Sequence, residues 1–192
     1  VTGTISPAYT VLGATGDVAF TISVSGLSLS NCAVDTVTAT VGGEAVIDEV
    51  GTKLSASTAK IEGTLVEFAG TTRTVKDIVW EMTFADDGGS CGQSTVTKTI
   101  ADYVYYAVPT INSISPESGT SAGGTVVTLV GTGLDDGDTD TVVKFGNASA
   151  TVLSSSATTL RVLSPAKPLG YDNVEVTNRG GSDTIDYTYV IE

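Results

Sequence analysis

The stretch Ile78-Val79-Trp80-Glu81-Met82-Thr83-Phe84 alternates large apolar side chains with smaller or polar ones. A period of two is typical of a β-strand that buries one face, whereas an α-helix repeats about every 3.6 residues. The same alternation is present in Asp17–Ser25 and near the C-terminus, where Ile185, Tyr187, Tyr189 and Ile191 are expected to point inward. These patterns predict half-buried antiparallel strands.

Similar short stretches recur along the chain, separated by turn signals such as Gly42-Gly43 and Gly180-Gly181. The composition includes 22 Gly and 16% charged residues, and no long run of helix formers interrupts it. Further strands are predicted at 34–41, 45–50, 61–68, 95–100, 125–130, 142–145, 159–163 and 174–177. Many short strands at this spacing predict an all-β fold of two tandem immunoglobulin-like β-sandwiches.

The module boundary is predicted where Val108-Pro109 follows the tyrosine-rich end of a strand. This division gives one module of residues 1–107 and another of residues 108–192, close to the size of about 100 residues that is usual for such sandwiches. Each module is long enough to bury a core of its own.

Both cysteines, Cys32 and Cys91, lie in the first module at turn-like positions. They are either two free thiols or one disulfide, and the sequence favours the disulfide because lone cysteines in a β protein rich in Ser, Thr and Gly suit an oxidising compartment. Closing a loop of about 60 residues stabilises a fold by roughly 3–4 kcal/mol. Trp80 lies on a separate strand from both cysteines, so the module departs from the antibody pattern, in which a Trp packs on the bridge.

A series of short motifs runs in order through the second module: Pro109–Pro116, Ser118-Gly119, Ala122–Thr125, Val127–Gly133, Val143–Gly146, Ala150–Val152, Leu160–Val162, Ser164–Ala166, Val174–Asn178 and Asp186–Tyr189. In this order they make residues 109–190 resemble the IPT/TIG family of immunoglobulin-like domains. Pro116 and Gly119 are expected to shape a bend between sheets, with a positive φ at Gly119. Gly133 is expected to end a strand, and Pro165 suits a strand exit.

Charge and composition exclude several functions. The formal net charge is −13, with 5 basic and 12 acidic side chains in residues 1–108 and 4 and 10 in residues 109–192. No basic face is available for nucleic acid or for an anionic membrane, and no apolar run is long enough for a transmembrane helix. The resemblance also includes DNA-binding members with basic loops, but Asp135–Asp140 occupies the corresponding loop here.

Catalysis is not expected from this sequence. The chain contains no histidine, so Ser-His-Asp and Cys-His arrangements cannot form. The resemblance brings no catalytic signature with it, and the many carboxylates are interpreted as solvated surface rather than as a glycosidase pair. The chain is therefore predicted not to be an enzyme and to require no cofactor.

The Asp-rich loop is the one place where a metal ion is considered. Asp136, Asp138 and Asp140 have the alternating carboxylate spacing that suits Ca²⁺, although the later Glu and the flanking helices of an EF-hand are missing. The competing interpretation is a solubilising loop. Asp86-Asp87 is a weaker candidate of the same kind.

Three further features have two interpretations each. Asn147-Ala148-Ser149 is a glycosylation sequon in a predicted hairpin turn, used only in a suitable host. The cluster of Tyr103, Tyr105 and Tyr106 either packs at the module junction, which we favour, or forms an aromatic strip for a sugar or a partner. Residues 1–12 either form the first strand of their own module, which we favour, or pair with a neighbouring subunit.

The sequence predicts a non-enzymatic structural subunit of an extracellular or virion-surface assembly, such as a surface filament, a surface layer, or a phage decoration or tail protein. The expected partners are other copies of the chain or other structural proteins. The alternative is an adhesion module pair, cut from a larger cell-surface protein, that binds a glycan or a receptor. The start at Val1 is compatible with a removed leader or with a piece of a longer chain.

Overall fold

The computed structural model describes residues 1–12, 18–65, 71, 73–137 and 141–191. Within these ranges every regular element is a β-strand, and no helix is present that is long and apolar enough to cross a bilayer. The described residues divide into two compact units, one holding 1–10, 18–65 and 75–105 and the other holding 11–12, 71, 73–74 and 106–191. Each unit is a two-sheet β-sandwich.

The first half of the chain contains nine described strands. They are β1 (Thr2–Ser6), β2 (Tyr9–Leu12), β3 (Val18–Ser25), β4 (Cys32–Val41), β5 (Glu44–Ala45), β6 (Ile47–Lys53), β7 (Thr58–Leu65), β8 (Thr74–Asp86) and β9 (Thr95–Ala107). One sheet has the order β1-β3-β7-β6 and the other has the order β2-β9-β8-β4-β5.

The second half of the chain contains another nine described strands. They are β10 (Thr110–Ser115), β11 (Ser118–Thr120), β12 (Val126–Thr132), β13 (Val142–Phe145), β14 (Ala148–Ser149), β15 (Thr151–Ser155), β16 (Thr159–Leu163), β17 (Gly170–Asn178) and β18 (Gly181–Val190). Their sheets have the orders β10-β12-β16-β15 and β11-β18-β17-β13-β14.

The two halves have the same strand order. Each strand of the first half occupies the sheet position of the strand nine places later in the second half. In both halves the first strand ends on Ile-Ser and is followed by Pro, at Ile5-Ser6-Pro7 and at Ile114-Ser115-Pro116. The first half is therefore built on the same topology as the second, although its sequence does not carry the same series of motifs.

Alternating apolar side chains form the cores of both sandwiches, as the sequence predicts. On β8 the side chains of Ile78, Trp80 and Met82 are each at most 1% exposed, and Phe84 is 8% exposed. The core of the second half is formed by Ile114, Val127, Leu129, Leu134, Val143, Phe145, Leu160, Val162, Val174, Val176, Tyr187 and Tyr189. Ile191 does not follow its predicted alternation: it is 77% exposed, because β18 ends at Val190 and the side chain has no sheet to pack on.

Cys32 and Cys91 form a disulfide, the pairing that the sequence favours, across a sequence separation of 59 residues. Cys32 is the first residue of β4 and is fully buried, whereas Cys91 lies in the connection between β8 and β9. Because β4 and β8 are neighbours, with Cys32 opposite Asp86, the bond ties together one end of a single sheet. It differs in this respect from the antibody disulfide, which joins two facing sheets.

Residues 2–6 form the module's own first strand. β1 pairs antiparallel with β3, from Thr2 opposite Ser25 to Ser6 opposite Thr21. The favoured interpretation of this segment is confirmed over these residues. Because β1 is the outermost strand of its sheet, pairing of its other edge with a neighbouring subunit stays a prediction.

The tyrosine cluster is buried. Tyr103, Tyr105 and Tyr106 are 2%, 1% and 4% exposed, so an exposed aromatic strip at this position is wrong. The rings of Tyr103 and Tyr105 meet edge to face at a centroid distance of 5.4 Å. Arg179 donates a hydrogen bond of 3.1 Å to the Tyr106 hydroxyl, and its guanidinium carbon lies 5.6 Å from the centroid of the same ring.

Candidate functional site

The glycine and threonine motifs of the second half serve its packing. A Cβ atom at Gly119 would overlap the Tyr187 hydroxyl and the Thr125 side chain. Gly119 does not have a positive φ, so the predicted conformational reason for this glycine is wrong and close packing replaces it. Burial raises the pKa of the Tyr187 phenol, and the hydroxyl groups of Thr125 and Ser164 partly offset this rise.

Other motif residues hold the same region together. The Ser164 hydroxyl accepts a 3.2 Å hydrogen bond from the Thr125 backbone N–H, and the Tyr189 hydroxyl donates at 3.0 Å to the Pro165 carbonyl. Gly123 and Gly124, at φ values of 79° and 76°, form the turn into β12. These residues are therefore explained by the fold.

The Asp-rich loop begins after Gly133, which follows the end of β12. Asp136 is only 5% exposed, and the Asp135 carboxylate accepts a 2.8 Å hydrogen bond from the Gly137 N–H. A cleft of about 360 Å³ at this loop is lined by Asp135, Asp136 and Arg73, together with Gly137, Ser156 and Ala157. Asp138 and Asp140 lie outside the described residues.

The predicted calcium ligands are thus described only in part. Arg73 lines the same cleft as Asp136, so a cation entering there would approach a side chain that already carries a positive charge. Among the described residues, no three acidic or thiol side chains gather as a metal-binding group. Calcium binding by this loop stays a prediction, and the weaker candidate Asp86-Asp87 stays one as well.

Asn147 lies in the tight turn between β13 and β14, where Phe145 pairs with Ala148. Its side chain is exposed, and the preceding Gly146 adopts a φ of 55°. The sequon is therefore placed where an oligosaccharide could be attached without disturbing the core. Modification itself stays a prediction.

A separate cleft lies beside β18, where the first strand of the second sandwich changes sheets. β10 pairs with β12 in one sheet, whereas β11 pairs in parallel with β18 in the other, over Ser118–Thr120. The resulting gap has a volume of about 380 Å³ and is lined by Asn112, Ser113, Ile114, Glu117, Ile185, Asp186, Tyr187 and Thr188. We call it the β10–β18 notch.

Tyr171 stands on the outer face of the sheet next to this notch. Its side chain is 70% exposed, the most exposed aromatic residue among those described. Tyr171 lies opposite Thr188 on β18, and its hydroxyl donates a hydrogen bond to the Asp186 carboxylate, which raises the pKa of Tyr171. Sequence reasoning missed this residue, although the inward positions Val174 and Val176 place position 171 on the opposite face.

β15 forms an uncharged edge of the four-stranded sheet. All five of its residues, Thr151–Ser155, are exposed, with Val152 and Leu153 at 39% and 47%. A register shift between Val152 and Ser154 marks a bulge against β16. β6, at the equivalent edge of the other sandwich, carries Glu49 and Lys53 instead.

Three solved structures are among those to which the chain is similar. An I-band fragment of titin aligns with 98% of this chain and 65% of its own, at 10% identity and a TM-score of 0.54. The extracellular region of plexin A4 aligns with 98% of this chain and 15% of its own, at 18% identity and a TM-score of 0.46. A surface glycan-binding protein from Prevotella bryantii aligns with 98% of this chain and 42% of its own, at 18% identity and a TM-score of 0.43.

The chain spans less than two thirds of each of these three proteins. At 10% identity the titin fragment supports the fold alone, a tandem of immunoglobulin-like sandwiches. No curated protein matches the chain. The family model of the IPT/TIG domain matches residues 109–189, which agrees with the motifs that suggested this family. The second sandwich of this chain is an IPT/TIG domain.

Proposed function

We propose that this chain is a non-enzymatic structural subunit of an extracellular or virion-surface assembly, and that copies of it associate through β15. The observation that carries the proposal is the uncharged edge Thr151–Ser155, all five residues of which are exposed, in a chain of net charge −13. Strand edges are surfaces at which sheets meet other chains, and natural proteins usually protect them with charge. β15 lacks that protection.

Charge disfavours contact between copies at acidic surfaces of the chain and permits it at this edge. Two molecules that each carry −13 repel one another, so contact is least unfavourable where no acidic side chain is brought close. Burial of Val152 and Leu153 against their equivalents in a second copy supplies an apolar contribution. The bulge interrupts the backbone edge, so we expect side-chain packing rather than a continuous hydrogen-bonded ladder.

Sedimentation velocity over a range of protein concentrations tests the proposal. The average mass of the chain should rise with concentration, and more steeply at high salt, because screening weakens the repulsion. Leu153→Lys should keep the chain monomeric. Leu54→Lys is the matched control, since Leu54 is 58% exposed, lies outside β15 and undergoes the same charge change.

The pattern across the two variants decides the outcome. If the unchanged chain stays monomeric at every concentration and salt level, assembly through β15 is refuted. If both lysine variants lose association equally, the edge is not the contact.

An extracellular location is part of the same proposal. It is supported by the Cys32–Cys91 disulfide, because such bonds persist in oxidising compartments. The non-enzymatic character is supported by the complete lack of histidine and by the packing role of the motif residues in the second sandwich. Peptide mapping of the native protein with and without reduction would test the disulfide directly.

The second candidate function is that of an adhesion or glycan-binding module pair from a larger cell-surface protein. The observation that favours it is the exposed Tyr171 ring beside the β10–β18 notch. A monodisperse monomer that binds glycans would favour it over the structural role.

A further inference from the structure

The β10–β18 notch follows from the topology of the IPT/TIG domain. β10 leaves its sheet at Ser115, and β11 joins β18 only from Ser118 to Thr120. Within the described part of the chain, the earlier residues of β18 have a strand partner on one side only, which is β17. The free side of β18 and the departing β10 form the two walls of the notch.

The walls carry polar groups that suit hydroxyl-rich ligands. Glu117 and Asp186 are exposed carboxylates on different segments, and Asn112 is an exposed amide at the bulge in β10. Thr188 adds a half-buried hydroxyl. Carboxylates accept hydrogen bonds, while the amide both donates and accepts, so the set can pair with the adjacent hydroxyl groups of a sugar.

Tyr171 adds an apolar platform at the border of this polar set. Its position opposite Thr188 places it on the same outer face as Asp186. Its side chain is 70% exposed and is therefore accessible to a ligand. The face of a tyrosine ring packs well against the C–H groups that a pyranose with equatorial hydroxyls presents on one side.

We propose that the β10–β18 notch and Tyr171 form a binding site for a neutral saccharide chain, with Tyr171 stacking on one sugar ring and Glu117, Asp186 and Asn112 bonding to its hydroxyl groups. β-Linked glucose polymers fit this chemistry because all their ring hydroxyls are equatorial. The site goes beyond the structural role and does not depend on it, since β15 lies at the edge of the other sheet.

Electrostatics selects a neutral ligand. The second half carries 4 basic and 10 acidic side chains, and no basic residue lines the notch, so an anionic polysaccharide would be repelled. The notch suits a divalent cation less well than a neutral sugar. It offers only two carboxylates, and that of Asp186 already interacts with the Tyr171 hydroxyl. A shallow site of this kind is expected to bind with a Kd of about 0.1–1 mM.

Titration of the full chain with hexasaccharides of β-1,4- and β-1,3-linked glucose, followed by amide NMR shifts, tests the proposal. Shifts should centre on Asn112, Glu117 and the first half of β17. Tyr171→Ala should weaken binding about tenfold or more, whereas Tyr171→Phe, which keeps the ring, should weaken it only a few-fold. Leu54→Ala removes an exposed apolar side chain elsewhere and should change nothing.

Several outcomes would overturn the site. These are the absence of binding to either hexasaccharide at millimolar concentration, binding that survives Tyr171→Ala, or shifts confined to another surface. Shifts at the notch induced by Ca²⁺ and not by either sugar would assign it to a cation instead. An unchanged thermal melt of Tyr171→Ala establishes that lost binding is not lost folding, and the association of copies through β15 should be unaffected.

Discussion

Removal of the Cys32–Cys91 disulfide should destabilise the first sandwich while leaving the second unchanged. The bond closes a loop across 59 residues, and for a loop of this length the chain-entropy relation gives a stabilisation of about 4 kcal/mol. Since a domain of this size has a free energy of unfolding of about 5–15 kcal/mol, the loss is a large fraction of the total. The paired substitution Cys32→Ala with Cys91→Ala avoids placing a polar group at the fully buried position 32.

Trp80 makes the first sandwich separately observable. It is the only Trp of the chain and is 1% exposed in the core of that sandwich, so its fluorescence reports on that half alone. With a urea dependence of about 1.5–2 kcal/mol per molar, the midpoint of the Trp80 transition should fall by about 2–3 M in the paired variant. Reducing the unchanged chain should give the same shift, and reductant should have no effect on the variant. A midpoint that moves by less than about 0.3 M would refute the reasoning.

Gly119→Ala should destabilise the second sandwich by about 1–3 kcal/mol, because its Cβ atom overlaps the buried Tyr187 hydroxyl; Gly92→Ala, which meets nothing within 4 Å, is the matched control in urea melts. Burial raises the pKa of Tyr103 to about 12. Because this pKa is raised above the unfolded value near 10, the stability it contributes is complete below pH 10 and is lost as the pH rises towards 12. Urea midpoints that stay constant from pH 9 to 11.5 would contradict this. If the loop at Asp136 binds Ca²⁺, melting temperatures should be higher in millimolar Ca²⁺ than in chelator, and equal values would exclude the site.

Alternation of side chains predicted the core strands because a sheet with one buried face imposes a period of two on its sequence. Ile78, Trp80 and Met82 are buried as expected. The same rule was wrong for Ile191, since periodicity does not reveal where a sheet ends. The tyrosines at the end of β9 show a second limit, because neighbouring residues are buried on both faces of that strand and composition alone gives no sign of it.

The sites that now carry the proposals could be predicted only in part. The exposed position of Tyr171 follows from the alternation of β17, but its neighbours come from distant segments. Asn112 and Glu117 approach Asp186 only through the change of sheet between β10 and β11, and no local pattern encodes that proximity. For Gly119 the motif correctly marked a position that requires glycine, but the predicted physical reason was wrong. The true reason is close packing against Tyr187, which is 68 positions away in the sequence.

Electron microscopy of the full chain at high protein concentration and high salt tests most directly the claim that it is a structural subunit. The account predicts ordered assemblies in which the chain repeats at regular intervals. These assemblies should form with Leu54→Lys and be lost with Leu153→Lys. Separate single particles under all these conditions, for the unchanged chain as well as for both variants, would contradict the claim.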